Sequence, residues 1–171
     1  VCQDALLDVA EHALRLENFS RQQVLENRLA TPIGAAELGL PEFLGSVSSS
    51  EPTPGGGSVS ALAGSLASAL GTMVARLTIG KKRYAEHEET MKRVENTLEG
   101  LQGELFDLVS EDARAYDAFV AARKMSQRTP EEVESRAKAS AEAARNAALV
   151  PMRTAETCVR VLAELVTVAT N

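Results

Sequence analysis

Between Glu51 and Arg76 the chain carries no charged residue. A stretch that long belongs either in a protein interior or across a membrane. Its composition decides between the two. Gly, Ala, Ser, Pro and Thr predominate, and they give little transfer free energy into lipid compared with Leu, Ile or Phe. We therefore read a buried helix, with no membrane span, led in by Gly55, Gly56 and Gly57, starting at Ser58 and reaching about residue 79. Within it Gly57, Ala61, Ser65 and Ala69 recur every four residues, as do Ser60, Gly64, Ser68 and Thr72. Rows of small side chains let another backbone come close, which predicts the central helix of a bundle. Gly80, followed by Lys81, Lys82 and Arg83, fits its end: glycine accepts a left-handed cap, and cations meet the negative end of the helix dipole.

The remaining chain supplies helices to pack against it. Apolar residues make up 44% of the 171, yet aromatics are only 4% and Trp is absent, so the core must be Ala, Leu and Val. That favours helix on helix over sheet. Residues 4–16 form an amphipathic pattern. A second helix over 20–29 opens with Ser20 and Gln23 as a capping box and with Phe19 and Val24 as a staple. A short helical turn is expected over 41–47 and a long helix over 86–124. A last helix begins at Thr129-Pro130-Glu131-Glu132 and runs to about residue 170, kinked or broken at Pro151. No convincing two-residue alternation exists, so the fold class is all-α: long helices around the small-residue helix. Residues 31–38, with Pro32 and Gly34, read as a linker dividing 1–30 from 39–171.

A net charge of -6 argues against nucleic acid as a partner. Cys2 and Cys158 are too few for a disulfide framework. No CxxC or Cys/His cluster suggests a metal, and the expected setting is reducing and cytoplasmic. His12 and His87 are isolated and expected at the surface.

One residue breaks the pattern of the 86–124 helix. Steps of three and four give Val94, Leu98, Leu101, Leu105, Leu108, then Asp112, then Ala115 and Phe119. An ionised carboxylate among apolar side chains must be paired, hydrogen-bonded, protonated or open to a cleft. Asp112 is thus either a core acid satisfied by a neighbouring hydroxyl or Arg, or a proton-transfer group. Asp107, Glu111 and Asp117 fall off the stripe and are expected in solvent. The triple glycine is either a hinge or a place where bare backbone N–H groups hold an anion or polar ring. Lys81, Lys82 and Arg83 are either a solvated helix end or an attractor for a polyanionic tail.

Taken in order, Pro54-Gly-Gly-Gly-Ser58 with its small-residue helix, Met73 through Leu77-Thr-Ile-Gly-Lys-Lys82 to Tyr84, Leu108-Val-Ser-Glu-Asp-Ala-Arg-Ala-Tyr116, Thr129-Pro-Glu-Glu132, and Val150-Pro151 with Ala155-Glu156 resemble the cyclodeaminase domain of bifunctional formimidoyltransferase-cyclodeaminase. That family also includes stand-alone methenyltetrahydrofolate cyclohydrolases. Asp4-Ala-Leu-Leu-Asp8 and Leu16-Glu-Asn-Phe19 are similar to the closing helices of the upstream formimidoyltransferase domain. The chain therefore reads as a fragment, with residues 39–171 a C-terminally incomplete cyclodeaminase domain.

The resemblance implies closure of 5-formimidoyltetrahydrofolate to 5,10-methenyltetrahydrofolate with release of ammonia, within one-carbon metabolism and histidine degradation. It assigns the catalytic acid/base role to Asp112, and substrate binding to Gly55, Gly56, Gly57, Ser58, Lys81, Lys82 and Tyr84. The folate is substrate and no prosthetic group is expected. Polyglutamate tails would give Lys81, Lys82 and Arg83 a partner, and bundles of this kind are expected to form homo-oligomers, at least dimers. The family usually has a second acid two residues before the catalytic one, and here that position is Ser110. This departure keeps two other readings open: a cyclohydrolase, or a non-catalytic helical assembly module beside a transferase domain.

Overall fold

The computed structural model describes residues 39–170, and the helices expected over 4–16 and 20–29 and the linker over 31–38 lie outside them. Four α-helices are present among the described residues: α1 (Leu40–Val47), α2 (Gly56–Thr78), α3 (Glu88–Arg123) and α4 (Pro130–Thr170), with a 3₁₀ segment, Lys82–His87, between α2 and α3. No strand occurs among them. The all-α expectation holds.

The punctuation follows the sequence. α2 ends at Thr78, and the turn closed by the Lys81 N–H donating to the Thr78 carbonyl at 3.2 Å uses Gly80, whose φ of 77° is the left-handed conformation that other residues resist. α4 starts where Thr129 Oγ1 accepts the backbone N–H of Glu132 at 3.2 Å. Ser126 Oγ and the Arg128 N–H both donate to the Glu132 carboxylate, at 2.5 Å and 2.7 Å, which ties the connecting loop to the new helix. α4 is not broken at Pro151 but continues through it. Proline removes one N–H from the ladder, and the buried Val150, Thr154, Thr157 and Val161 on the same helix supply packing to offset that loss.

α3 carries the deepest apolar stripe. Met91, Val94, Leu98, Leu101, Leu105 and Leu108 are all buried, and with Ala61, Val150 and Val161 they form the core. α2 packs against both α3 and α4. Its buried face is Ser58, Ala61, Ser65, Ser68, Thr72 and Ala75, alternating steps of three and four and drawing on both small-residue rows. The close approach is visible at Gly64, where a β-carbon would crowd Cys158 Sγ and Leu105, and at Gly71, where it would overlap Leu165 and Leu98. Ser65 Oγ donates across the seam to the Gln102 carbonyl at 3.1 Å, so its burial leaves no polar group stranded. Surface ion pairs line the same contacts: Arg76 with Glu95 and Glu99, Arg93 with Glu164, Arg160 with Glu104. Such surface pairs are screened by water and contribute little. Apolar burial and close packing hold the bundle.

α2 is long and apolar enough, by length and composition, to cross a membrane. One face of small residues, Ser58, Ala61, Ser65, Ser68, Gly71, Thr72 and Ala75, is instead buried in protein, while Val59, Leu66, Leu70, Met73 and Leu77 form an exposed apolar line along its other side.

Candidate active site

The α3 stripe reaches Asp112 where α2 begins. There Asp112 Oδ2 accepts two hydrogen bonds from one residue, the Ser58 N–H at 2.9 Å and the Ser58 hydroxyl at 3.1 Å. Ser58 is completely buried, whereas Asp112 is half-buried. The first N–H groups of a helix lack partners within the helix, and its N-terminus carries positive partial charge. Asp112 supplies both the acceptor and the compensating charge from a separate helix. No cation pairs with it among the described residues, so a hydroxyl and an amide, and not an arginine, satisfy the acid. Oδ1 has no hydrogen-bond partner among the described residues.

The glycine run explains how the carboxylate comes so near. Gly55 caps α2 in an extended conformation, φ −111° and ψ −160°, and Gly56 and Gly57 lie in its first turn. A β-carbon on Gly57 would overlap the Asp112 carboxylate, while one on Gly56 would meet nothing. Only Gly57 is demanded by this contact. The amide of Ser58, expected to face a ligand, is instead taken by Asp112.

The other expected binding residues are elsewhere. Lys81, Lys82 and Tyr84 follow the C-terminus of α2, and its 23 residues separate them from Asp112 by about 34 Å within one chain. Lys81 and Lys82 are exposed, and the Arg83 guanidinium lies 5.3 Å from the centre of the Tyr84 ring. The separation was readable from the helix length alone. His87 is half-buried, 3.4 Å from the Glu86 carboxylate, and His12 lies outside the described residues.

Several neighbours of Asp112 escaped the sequence reading. Tyr116, one helical turn on, is exposed, with the Phe119 ring 6.4 Å away. Asp107 and Asp117 are exposed, as expected, and Glu111 is partly exposed; Arg153 pairs with Glu111 at 2.7 Å, and Thr53 Oγ1 donates to Asp117 at 3.0 Å. Spacing of one turn was the signal for Tyr116, but no local signal announces the long-range partners. Ser110, where an acid was expected, is buried. An open groove of about 740 Å³ between α3 and α4, lined by Ala118, Ala121, Ala122, Ala139, Ala143 and Leu149 among others, contains none of the expected site residues. Its wall is half alanine, with Glu142, Arg145 and Asn146 from α4 as polar groups. A carboxylate with one oxygen tethered and the other free of hydrogen bonds can take a proton and return it at a fixed point.

Comparison with known proteins gives consistent results. Residues 39–171 match the family described as formiminotransferase-cyclodeaminase. The chain is 41% identical over 126 residues to a methenyltetrahydrofolate cyclohydrolase of Methylorubrum extorquens, covering 72% of this chain and 61% of that protein. It is 38% identical over 115 residues to the mouse formimidoyltransferase-cyclodeaminase, covering 67% of this chain and 21% of that one. The crystal structure of formiminotetrahydrofolate cyclodeaminase from Thermotoga maritima superposes with a TM-score of 0.50 at 28% identity, covering 77% of this chain and 76% of the other. The match thus spans less than two thirds of these two curated relatives.

Proposed function

Because the chain belongs to the formiminotransferase-cyclodeaminase family, we propose that it closes 5-formimidoyltetrahydrofolate to 5,10-methenyltetrahydrofolate and releases ammonia, with Asp112 moving the protons. The N10–carbon bond forms and the bond from that carbon to the departing nitrogen breaks. That nitrogen leaves as ammonia after gaining two protons, one lost by N10 and one from solvent, which balances the cationic product. Asp112 carries the N10 proton across. The observation that supports this reading is the half-buried Asp112 carboxylate tethered through Oδ2 at the glycine-opened start of α2. General acid–base transfer of this kind contributes roughly 10²–10⁴-fold. Holding N10 against the carbon contributes at least as much.

A second reading is favoured by the 41% identity to a cyclohydrolase: water adds to the methenyl carbon, and a different C–N bond breaks. Supplying formimidoyl- or methenyltetrahydrofolate and following the methenyl absorbance separates the two, as its appearance in one case and its loss in the other.

The same reading includes a cytoplasmic enzyme, a tail site at Lys81, Lys82 and Arg83, and at least a dimer. Val59, Leu66 and Met73 are seven residues apart, as are Ala63, Leu70 and Leu77, and all six are exposed. That spacing supports a seam along which α2 would pair with another helix. Antiparallel pairing of two copies sets the basic end of one α2 beside the Asp112 end of the other, matching opposite charges.

A further inference from the structure

Resting on the proton-transfer reading, we propose that Gly57 and Ser58 are positioning residues for Asp112, and not a surface for the folate. They fix one carboxylate oxygen so that the other is the atom that moves the proton. A free aspartate side chain can exchange its two oxygens by rotation. Here both donors of Ser58 engage Oδ2, at 2.9 Å and 3.1 Å, and leave Oδ1, the oxygen packed nearest Gly57, without a hydrogen bond among the described residues. Ser58 is completely buried and cannot swing away, and the α3 backbone beneath Asp112 is held by buried Leu108 and Ala115 on either side. The missing side chain at 57 admits the carboxylate. An anionic or polar part of a ligand could reach the Ser58 amide only by displacing Asp112. The glycine run and the acid are therefore one device, and its service is to the geometry of the proton, where a misplacement of about 1 Å costs on the order of a hundredfold in rate.

The test compares Gly57→Ala, Ser58→Ala and Asp112→Asn in the full 171-residue chain, each checked for an unchanged helical spectrum. Gly57→Ala should lower kcat roughly a hundredfold and Ser58→Ala about tenfold, with KM kept within about twofold, since the lost interactions act on the reacting geometry and not on substrate capture. A raised KM with kcat intact overturns the inference, for the glycine run would then bind substrate. Full activity in both variants while Asp112→Asn is dead overturns the inference alone. Full activity in Asp112→Asn overturns the reading beneath it, and the inference with it. A second measurement stands apart from turnover. In Asp112→Ala the Ser58 amide should exchange its hydrogen at least about tenfold faster than in the parent, and an unchanged rate overturns the tether.

Discussion

Ser58 and Asp112, 54 residues apart in sequence, are joined by two hydrogen bonds that end on the same carboxylate oxygen. One helix thereby caps another, and the acid doing the capping is the one that interrupts the apolar stripe of α3. Local stability and candidate chemistry share a contact.

Glycines within the helices should respond oppositely to the same substitution. A β-carbon at Gly64 would press on Cys158 Sγ and Leu105, so Gly64→Ala should cost about 1–3 kcal/mol. Gly100 is exposed within α3 with open space around it, and Gly100→Ala should stabilise by about 0.5–1 kcal/mol. Urea unfolding midpoints, one falling and one rising, check the pair.

The start of α4 should weaken in acid. The Ser126 hydroxyl and the Arg128 N–H hold the Glu132 carboxyl below its usual 4.5, and Lys92 does the same for Glu88 at the start of α3. A carboxyl depressed by folding stabilises above its unfolded value, and that contribution disappears as pH falls through the lower folded value. Thermal melts should therefore decline below about pH 4.5, and Glu132→Gln should flatten part of that decline. An identical pH profile in the variant would show that Glu132 contributes nothing.

These elements show what could be read in advance. The ends of α2 and α4 were legible because Gly80 and Thr129 act on their own neighbours, within a few residues. Asp112 was legible because a helix repeats its face, so one charge among Leu98, Leu101, Leu105 and Leu108 stands out. Its partner was not: nothing near Ser58 tells that an acid 54 residues away will take its amide. At Pro151 the converse holds: proline does not end α4, because the local rule against it is outweighed by burial of Val150 and Thr154 around it. Lys81, Lys82 and Tyr84 were grouped with the glycine run by motif, whereas the rise of an α-helix puts them at the opposite end.

Self-association should depend on the exposed side of α2. Leu66 and Leu70 are both more than half exposed, and a glutamate at each would face its like across an antiparallel seam. The Leu66→Glu, Leu70→Glu double variant should sediment as a monomer while keeping its helical spectrum. A parent that is already monomeric, or a variant as large as an oligomeric parent, would remove the seam.

Charge reversal at Lys81 and Lys82 should act on tail length. Folates with several glutamates should lose about tenfold or more in affinity, and monoglutamates much less. Equal losses for both would detach these lysines from any tail.

The central claim is that the Asp112 carboxylate moves the proton, and Asp112→Asn tests it most directly. The amide preserves shape and still offers one oxygen to Ser58, so the fold should survive. Under matched conditions, appearance of methenyltetrahydrofolate absorbance from formimidoyltetrahydrofolate should slow by roughly 10²–10⁴-fold in the variant. A variant that forms product as fast as its parent contradicts the account.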